Sequence, residues 1–358
     1  MDLNEEISRG RALSDHVADV EQHRPNRIPR LLIQTTIILV VSVLFLTLSP
    51  FEIGGGDHDE ILRMAGSDFA IFHYRAPLAV ATHQIIYHLG KRFGVTPTLA
   101  VRVTSAVAGG FFVLLLFNFS RDPRLWVPCL ASGTLMVFWG HVETYAPAYA
   151  AALWFLMLGI RYARRERLSA WPLCGAWLLA SGCHMSNSFY LPALAFLIHR
   201  LDRRGTKALI GAVLVLALVF STVPFFTFPL GYDTLAPERL TPLLRMTGAY
   251  HHFTLFSWAH LKLVLKFWGF ASPLGLIGIV GGLLLLRRDP AWQFLMAASG
   301  CALLWTFLWN PDLGWADWDL FGQCAVPLNL MAGWTLLQGK AFSATQAATE
   351  PSGSSSRE

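Results

Sequence analysis

Five short segments hold most of the residues able to do chemistry in this chain. The first, Gly54-Gly55-Gly56-Asp57-His58-Asp59-Glu60, follows an apolar run and sets three carboxylates within four residues. Like charges this close raise one another's pKa unless a cation compensates. One of them is therefore a candidate general base, and Asp57 with Asp59 could ligate a divalent metal ion. The plain alternative is a solvated acidic loop, although such loops seldom place acids where an apolar run ends.

In the second segment, Gly140-His141-Val142-Glu143-Thr144-Tyr145, ionisable groups also close an apolar run. Such positions are costly and usually have a partner or a task. The competing reading makes Trp139 and Tyr145 interfacial anchors. His184, Ser186 and Asn187 form a third cluster, suited to a phosphate, to sugar hydroxyls or to hydrogen bonds between helices. The fourth, Trp309 to Asp319, interleaves Asp312, Asp317 and Asp319 with Trp315 and Trp318. Indoles stack on the apolar faces of sugar rings and carboxylates accept from ring hydroxyls; an aromatic belt is the simpler account. The fifth holds His251, His252 and His260. Adjacent histidines point apart on a helix, so they make a poor metal site. Arg239, Arg245, Lys262 and Lys266 in the same region could meet an anionic headgroup or a phosphate, or be solvated beside lipid.

The elements that must hold these residues are apolar. The 358 residues are 54% hydrophobic and 14% charged, with mean hydropathy +0.46. A soluble domain carries roughly a quarter charged residues, so lipid must solvate much of the surface. The composition predicts an all-α polytopic membrane protein of about ten transmembrane helices. The expected windows are 31–50, 98–119, 125–141, 145–162, 169–184, 188–200, 207–229, 267–286, 290–309 and 319–338. Residues 77–93 are apolar but interrupted by His83, His88 and Gly90, and read as an interfacial helix in the first outer loop. Residues 1–30 are expected to be a polar cytoplasmic tail, 31–338 the membrane domain, and 339–358 a disordered cytoplasmic tail. The run Leu31 to Leu48 is too long for a signal-peptide core and reads as a retained first helix.

Basic residues orient the chain. With the N-terminus cytoplasmic, 19 of the 28 Lys and Arg fall inside, among them Arg121, Arg124, Arg161, Arg164, Arg200, Arg204, Arg287 and Arg288. All five polar segments then fall on the outer side, with nine of the 12 histidines. The net charge of +5 reflects the inner loops; no basic motif for nucleic acid is present. The five cysteines show no CxxC spacing, which argues against a disulfide framework or zinc knuckle. There is no Ser/His/Asp elbow, P-loop or HExxH pattern.

With a first helix, an outward loop carrying Asp57 to Glu60, a surface helix from Pro77 to Phe93, and spans ending in polar outer motifs, the chain resembles the GT-C superfamily of polytopic glycosyltransferases. That superfamily includes protein O-mannosyltransferases and the lipid A aminoarabinose transferase. The segments FHYRAPLAVATHQIIYHLG, FWGHVETYAP and PDLGWADWDLF look like those of bacterial members. The resemblance implies a polyprenyl-phosphate-linked sugar donor, a glycan, lipid or protein acceptor, and transfer on the extracytoplasmic side of the inner membrane. It implies Asp59 as the base, with Asp57 or Glu60 as the alternate or as a metal ligand. Arg75, Lys262 or Lys266 would hold the phosphate, His141 and Glu143 would shape the acceptor side, and Asp317, Trp318 and Asp319 would hold sugar. Metal dependence varies within the superfamily. The chain departs from many members in having no large soluble domain after its last span.

Two other classes compete. A transporter or flippase of a lipid-linked or polar solute should carry ionisable residues near the bilayer midplane, on broken helices and often in two related halves. The mid-span positions here are nearly free of charge and no internal repeat is visible. A non-catalytic envelope scaffold would not need acids at several outer helix ends.

Overall fold

The computed structural model describes residues 27–48, 58–68, 73, 75–166, 169–226, 240–246, 252–311 and 314–349. Among them there is no strand, only an isolated antiparallel bridge between Leu240 and Trp309. The helices are α1 (Arg27–Thr47), α2 (His58–Ala65), α3 (Pro77–Gly90), α4 (Pro97–Phe119), α5 (Pro123–Leu130), α6 (Tyr145–Ala163) and α7 (Ala170–Cys183). They continue with α8 (Leu191–Leu201), α9 (Thr206–Phe226), α10 (Trp258–Ala271), α11 (Gly275–Leu285), α12 (Pro290–Leu308), α13 (Trp318–Phe321) and α14 (Ala325–Thr349). Single 3₁₀ turns join several of them, at Gly133–Phe138, Met185–Tyr190, Gly314–Asp317 and Gly322–Cys324.

One local rule starts three of these helices. Thr96-Pro97, Asp122-Pro123 and Asp289-Pro290 each put an oxygen at the N-cap and a proline at the first helical position. The cap oxygens accept from the N–H of Leu99 at 3.2 Å, Arg124 at 3.0 Å and Ala291 at 3.0 Å. The cap satisfies an orphan donor and the proline has none to lose.

Among the described residues three stretches are long and apolar enough to cross a membrane: Pro97–Phe119, Pro290–Leu308 and Gly314–Gln338. The pair α10 and α11 makes a fourth if counted as one span, bent by 81°. The expected ten crossings exceed what these helices establish. The expected span at 125–141 is two pieces, because Pro128 lies inside α5 and the helix ends at Leu130 before a 3₁₀ turn from Gly133. The expected span at 267–286 breaks at Ser272-Pro273. The helix at Ala170–Cys183 is apolar but only 14 residues long, about 21 Å at 1.5 Å per residue, against a hydrocarbon thickness of about 30 Å. At the far end α14 runs on to Thr349, so the tail expected to be disordered from 339 begins as helix. At the near end α1 begins at Arg27, within the expected polar tail.

The exposed surface is that of a lipid-facing protein. Leu31, Leu32, Ile33 and Leu39 on α1, Ile210, Leu214 and Leu218 on α9, and Leu276 and Leu284 on α11 are all exposed. Contiguous apolar surface of this kind marks a membrane or partner interface. Inside, close contact rests on small residues: a Cβ at Gly278 of α11 would stand 2.7 Å from the backbone nitrogen of Ala332 on α14. The 81° bend is held by its own polar groups. The carbonyl of Ala271, freed by the break, accepts from Ser132 Oγ at 2.6 Å and Asn329 Nδ2 at 3.0 Å, and Ser272 Oγ donates to Asn329 Oδ1 at 2.7 Å. The segment 77–93 is helical as expected; α3 packs against α2, α4 and α7.

Candidate functional site

The residues at one end of the bundle come from four chain breaks: the turn before α3, the loop before α6, the turn after α7 and the loop after α12. Each break is fixed locally. At Gly140 the chain adopts φ +78°, a conformation that L side chains resist. A Cβ there would lie 3.0 Å from Arg102 Nε, so the turn also makes room for the half-buried Arg102 of α4. Ser105 Oγ of α4 donates to the carbonyl of His141 at 2.9 Å. Met185 N–H donates to the carbonyl of Arg75 at 2.6 Å, tying the turn after α7 to the turn before α3.

The result is a buried cluster of polar side chains, termed the polar chamber. His73, Arg75, His141, Glu143, Thr144, His184, Ser186, Asp317, Trp318, Asp319 and Gln323 are all buried. Tyr145 joins its two halves. The ring lies 4.9 Å from that of His184, and the hydroxyl is within electrostatic reach of Asp319, Glu143, Arg75 and Asp317. On the cationic half, Arg75 acts on His73 and His184. Burial first, and the Arg75 charge second, push the His73 imidazole down to about 3. Burial likewise lowers His83 of α3 to about 4, partly opposed by the nearby Glu143 backbone. Both rings are therefore neutral at physiological pH.

On the acidic half, His141 Nε2 lies 2.7 Å from Asp319 Oδ2. Asp319 Oδ1 accepts the Leu320 N–H at 2.8 Å, and its backbone carbonyl accepts Tyr149 Oη–H at 2.6 Å. The Trp318 ring stands 5.4 Å from the His141 imidazole. Between the halves, Ser186 Oγ donates to Gln323 Oε1, and His184 Nδ1 lies 2.7 Å from Ser186 Oγ.

Beside this chamber runs an apolar groove of about 470 Å³, walled by α3, α4, α6 and α7. Its lining includes Ile86, Phe111, Leu115, Ala151, Trp154 and Leu179. The hydroxyls of Thr82 and Thr104 in its wall are spent on their own helices, at Leu78 O (2.8 Å) and Ala100 O (2.9 Å). Phe111, Trp154 and Leu179 are exposed, so the groove reaches the outer surface of the bundle. Four of its lining residues, Thr82, Thr104, Pro147 and Cys183, stand within two positions in sequence of His83, Ser105, Tyr145 and His184.

Of the sequence-derived candidates, Arg75, His141, Glu143, His184, Asp317, Trp318 and Asp319 come together here. Asn187 is buried nearby, but both its amide hydrogens go to carbonyls, of Ala180 at 2.9 Å and Ala148 at 3.4 Å. It clasps α6 to α7 rather than offering donors to a ligand. Asp59 is exposed at the start of α2, and half-buried Glu60 lies 3.9 Å from Arg63 one turn on. The buried face of α2, through Ile61, Met64 and Ala65, packs on Val142 between the two ionisable residues of the second segment. Lys262 and Lys266 on α10 are exposed; each ammonium stands over an indole, Trp258 at 5.5 Å and Trp315 at 3.9 Å. Asp57, Arg239, His251 and Asp312 lie outside the described residues. Among the described residues no three His, Cys, Asp or Glu side chains group as metal ligands. His73, Tyr149 and Gln323 escape a reading by motif. Yet His73 is two residues before Arg75, and Gln323 is four after Asp319, one helical turn away.

Compared with protein-family models, curated proteins and solved structures, the chain matches none.

Proposed function

We propose that the protein is a GT-C-like membrane glycosyltransferase, moving a sugar from a polyprenyl-phosphate donor to an acceptor hydroxyl. The observation that carries the reading is an apolar groove on helices whose ends carry the buried polar residues. A ligand that fits both is an amphiphile with a long hydrocarbon chain and an anionic, hydroxyl-bearing head. Arg75 is buried among these residues, and a cation there suits the charge that develops on a departing phosphate. Carboxylates and an indole, from Asp317, Trp318, Asp319 and Glu143, suit sugar hydroxyls and the ring's apolar face. In this reading the termini are cytoplasmic, the chain crosses the inner membrane about ten times, some crossings being broken or short, and the chamber faces away from the cytoplasm. The acceptor is a glycan, lipid or protein. A divalent ion at Asp57 and Asp59 remains part of what the resemblance implies.

The bent pair α10–α11 is a feature that a transporter would share, since such proteins bind solutes at broken helices. Here the freed carbonyl is satisfied by Ser132 and Asn329, with no ionisable group at the break, which favours the enzyme.

The test is mass spectrometry of envelope glycans, glycolipids and glycoproteins from a strain lacking the chain, with and without the gene restored. A sugar missing from one acceptor class and regained on restoration is expected. An unchanged glycan profile combined with altered export of a lipid-linked precursor would instead establish transport.

A further inference from the structure

Activation of the acceptor needs a proton acceptor at the reacting oxygen. Several buried ring nitrogens have no hydrogen-bond partner among the described residues, and one of them, His141 Nδ1, belongs to a ring held by a carboxylate through its other nitrogen. His141 is 7% exposed, and its Nδ1 is buried without a hydrogen-bond partner among the described residues. Its other nitrogen, Nε2, is committed to Asp319 at 2.7 Å. Both carboxylate oxygens of Asp319 accept, Oδ1 from Leu320 N–H and Oδ2 from the imidazole, so the proton of the neutral ring resides on Nε2 and Nδ1 presents a lone pair.

The surroundings fix this ring from several sides. Ser105 holds the His141 carbonyl, Trp318 stands against the imidazole, and Tyr149 with Leu320 holds the segment bearing Asp319. An unpaired buried polar atom costs roughly 1–3 kcal/mol; His83 and His260 also carry such a nitrogen, but the other nitrogen of His260 meets a backbone carbonyl and neither ring is paired with a carboxylate as His141 is with Asp319. A base oriented by a carboxylate needs the pattern found: one nitrogen held, the other open. Asp59, by contrast, is exposed on α2.

We propose that His141, positioned by Asp319, is the general base of the transfer; the inference rests on the glycosyl-transfer reading. As the acceptor oxygen bonds the anomeric carbon, its O–H breaks and the proton passes to His141 Nδ1. The bond from the anomeric carbon to the donor phosphate breaks, and its electron pair leaves with the polyprenyl phosphate on the Arg75 side of Tyr145. Asp319 keeps its hydrogen bond to Nε2 and stabilises the imidazolium, which then returns its proton to water or to the departing phosphate. Asp319 is thus a positioning residue and His141 the catalytic one.

The experiment uses membranes from the deletion strain carrying full-length variants, with the endogenous lipid-linked donor and glycan mass spectrometry as readout. His141→Ala should lower transfer about 100-fold or more, and added imidazole should restore part of it by occupying the vacated space. Asp319→Asn should lower transfer and displace its pH profile, a change that a merely structural contact would not produce. If His141→Ala fails to accumulate in the membrane, His141→Gln, which keeps a donor towards Asp319, carries the test and should be equally inactive. Transfer retained within threefold in the histidine variant overturns the proposal. So does loss with no imidazole rescue and an unmoved pH profile in Asp319→Asn, or loss confined to Asp59→Asn. A glycan profile unchanged by deleting the whole chain sinks the transferase reading instead, and is read before any variant is made.

Discussion

Buried imidazoles carry a measurable consequence. His83 and His73 are held at about 4 and about 3, against an ordinary value of 6.5. Below pH 6.5 the unfolded chain takes up protons that the folded one refuses, so stability is full above that pH and falls as the pH drops towards 4. At about 1.4 kcal/mol per unit, His83 alone is worth roughly 3 kcal/mol across this window. Melting of the detergent-solubilised protein should move to lower temperature between pH 6.5 and pH 4, and His83→Gln should flatten that slope. An unchanged slope in the variant would assign the acid sensitivity elsewhere. At this scale the sequence was legible where an ionisable residue ended an apolar run: His141, Glu143, His184, Asp317 and Asp319 all converge. Asn187 has the same local signature but spends its amide inside the fold, a difference set by partners from α6 and α7 that spacing does not reveal. Lys262 and Lys266 were placed near phosphate on charge alone, while their ammoniums lie over indoles.

Among the helices, hydropathy located the apolar segments well and their continuity poorly. Pro128 in α5 and Ser272-Pro273 between α10 and α11 interrupt runs that are apolar throughout, and a window average does not register the break. The bend is tolerated because Ser132 and Asn329, distant in sequence, supply donors to Ala271. The joint between α11 and α14 is equally dependent on a partner. Gly278 sets the approach, and its carbonyl accepts from Trp292 Nε1 at 3.2 Å and Thr335 Oγ1 at 3.3 Å. Gly278→Leu should force the helices apart and disturb both bonds, destabilising the protein by about 1–3 kcal/mol. The same substitution at Gly300 of α12, where an added Cβ meets nothing within 4 Å, should cost far less. Thermal unfolding of the two variants side by side checks the contrast.

Across the whole molecule, counting basic residues leads to the expectation of polar ends on one side, but does not lead to the groove. It is made from faces of four helices whose apolar residues look alike in sequence. Ala151 lines it and is 8% exposed. Ala151→Trp should fill part of the volume and reduce transfer from a long-chain donor at least tenfold, and a short-chain water-soluble analogue should lose much less. Equal loss with both would mean that the groove does not hold the chain.

Because Phe111, Trp154 and Leu179 expose the groove at the outer surface of the bundle, a lipid-linked donor of the kind proposed would reach it sideways. Its effective concentration is then a surface density, counted per lipid rather than per litre. In vesicles, adding inert lipid at fixed total donor should slow the reaction, whereas diluting the vesicles in buffer should not. The protein would obey two-dimensional kinetics, and the membrane's composition would set its rate.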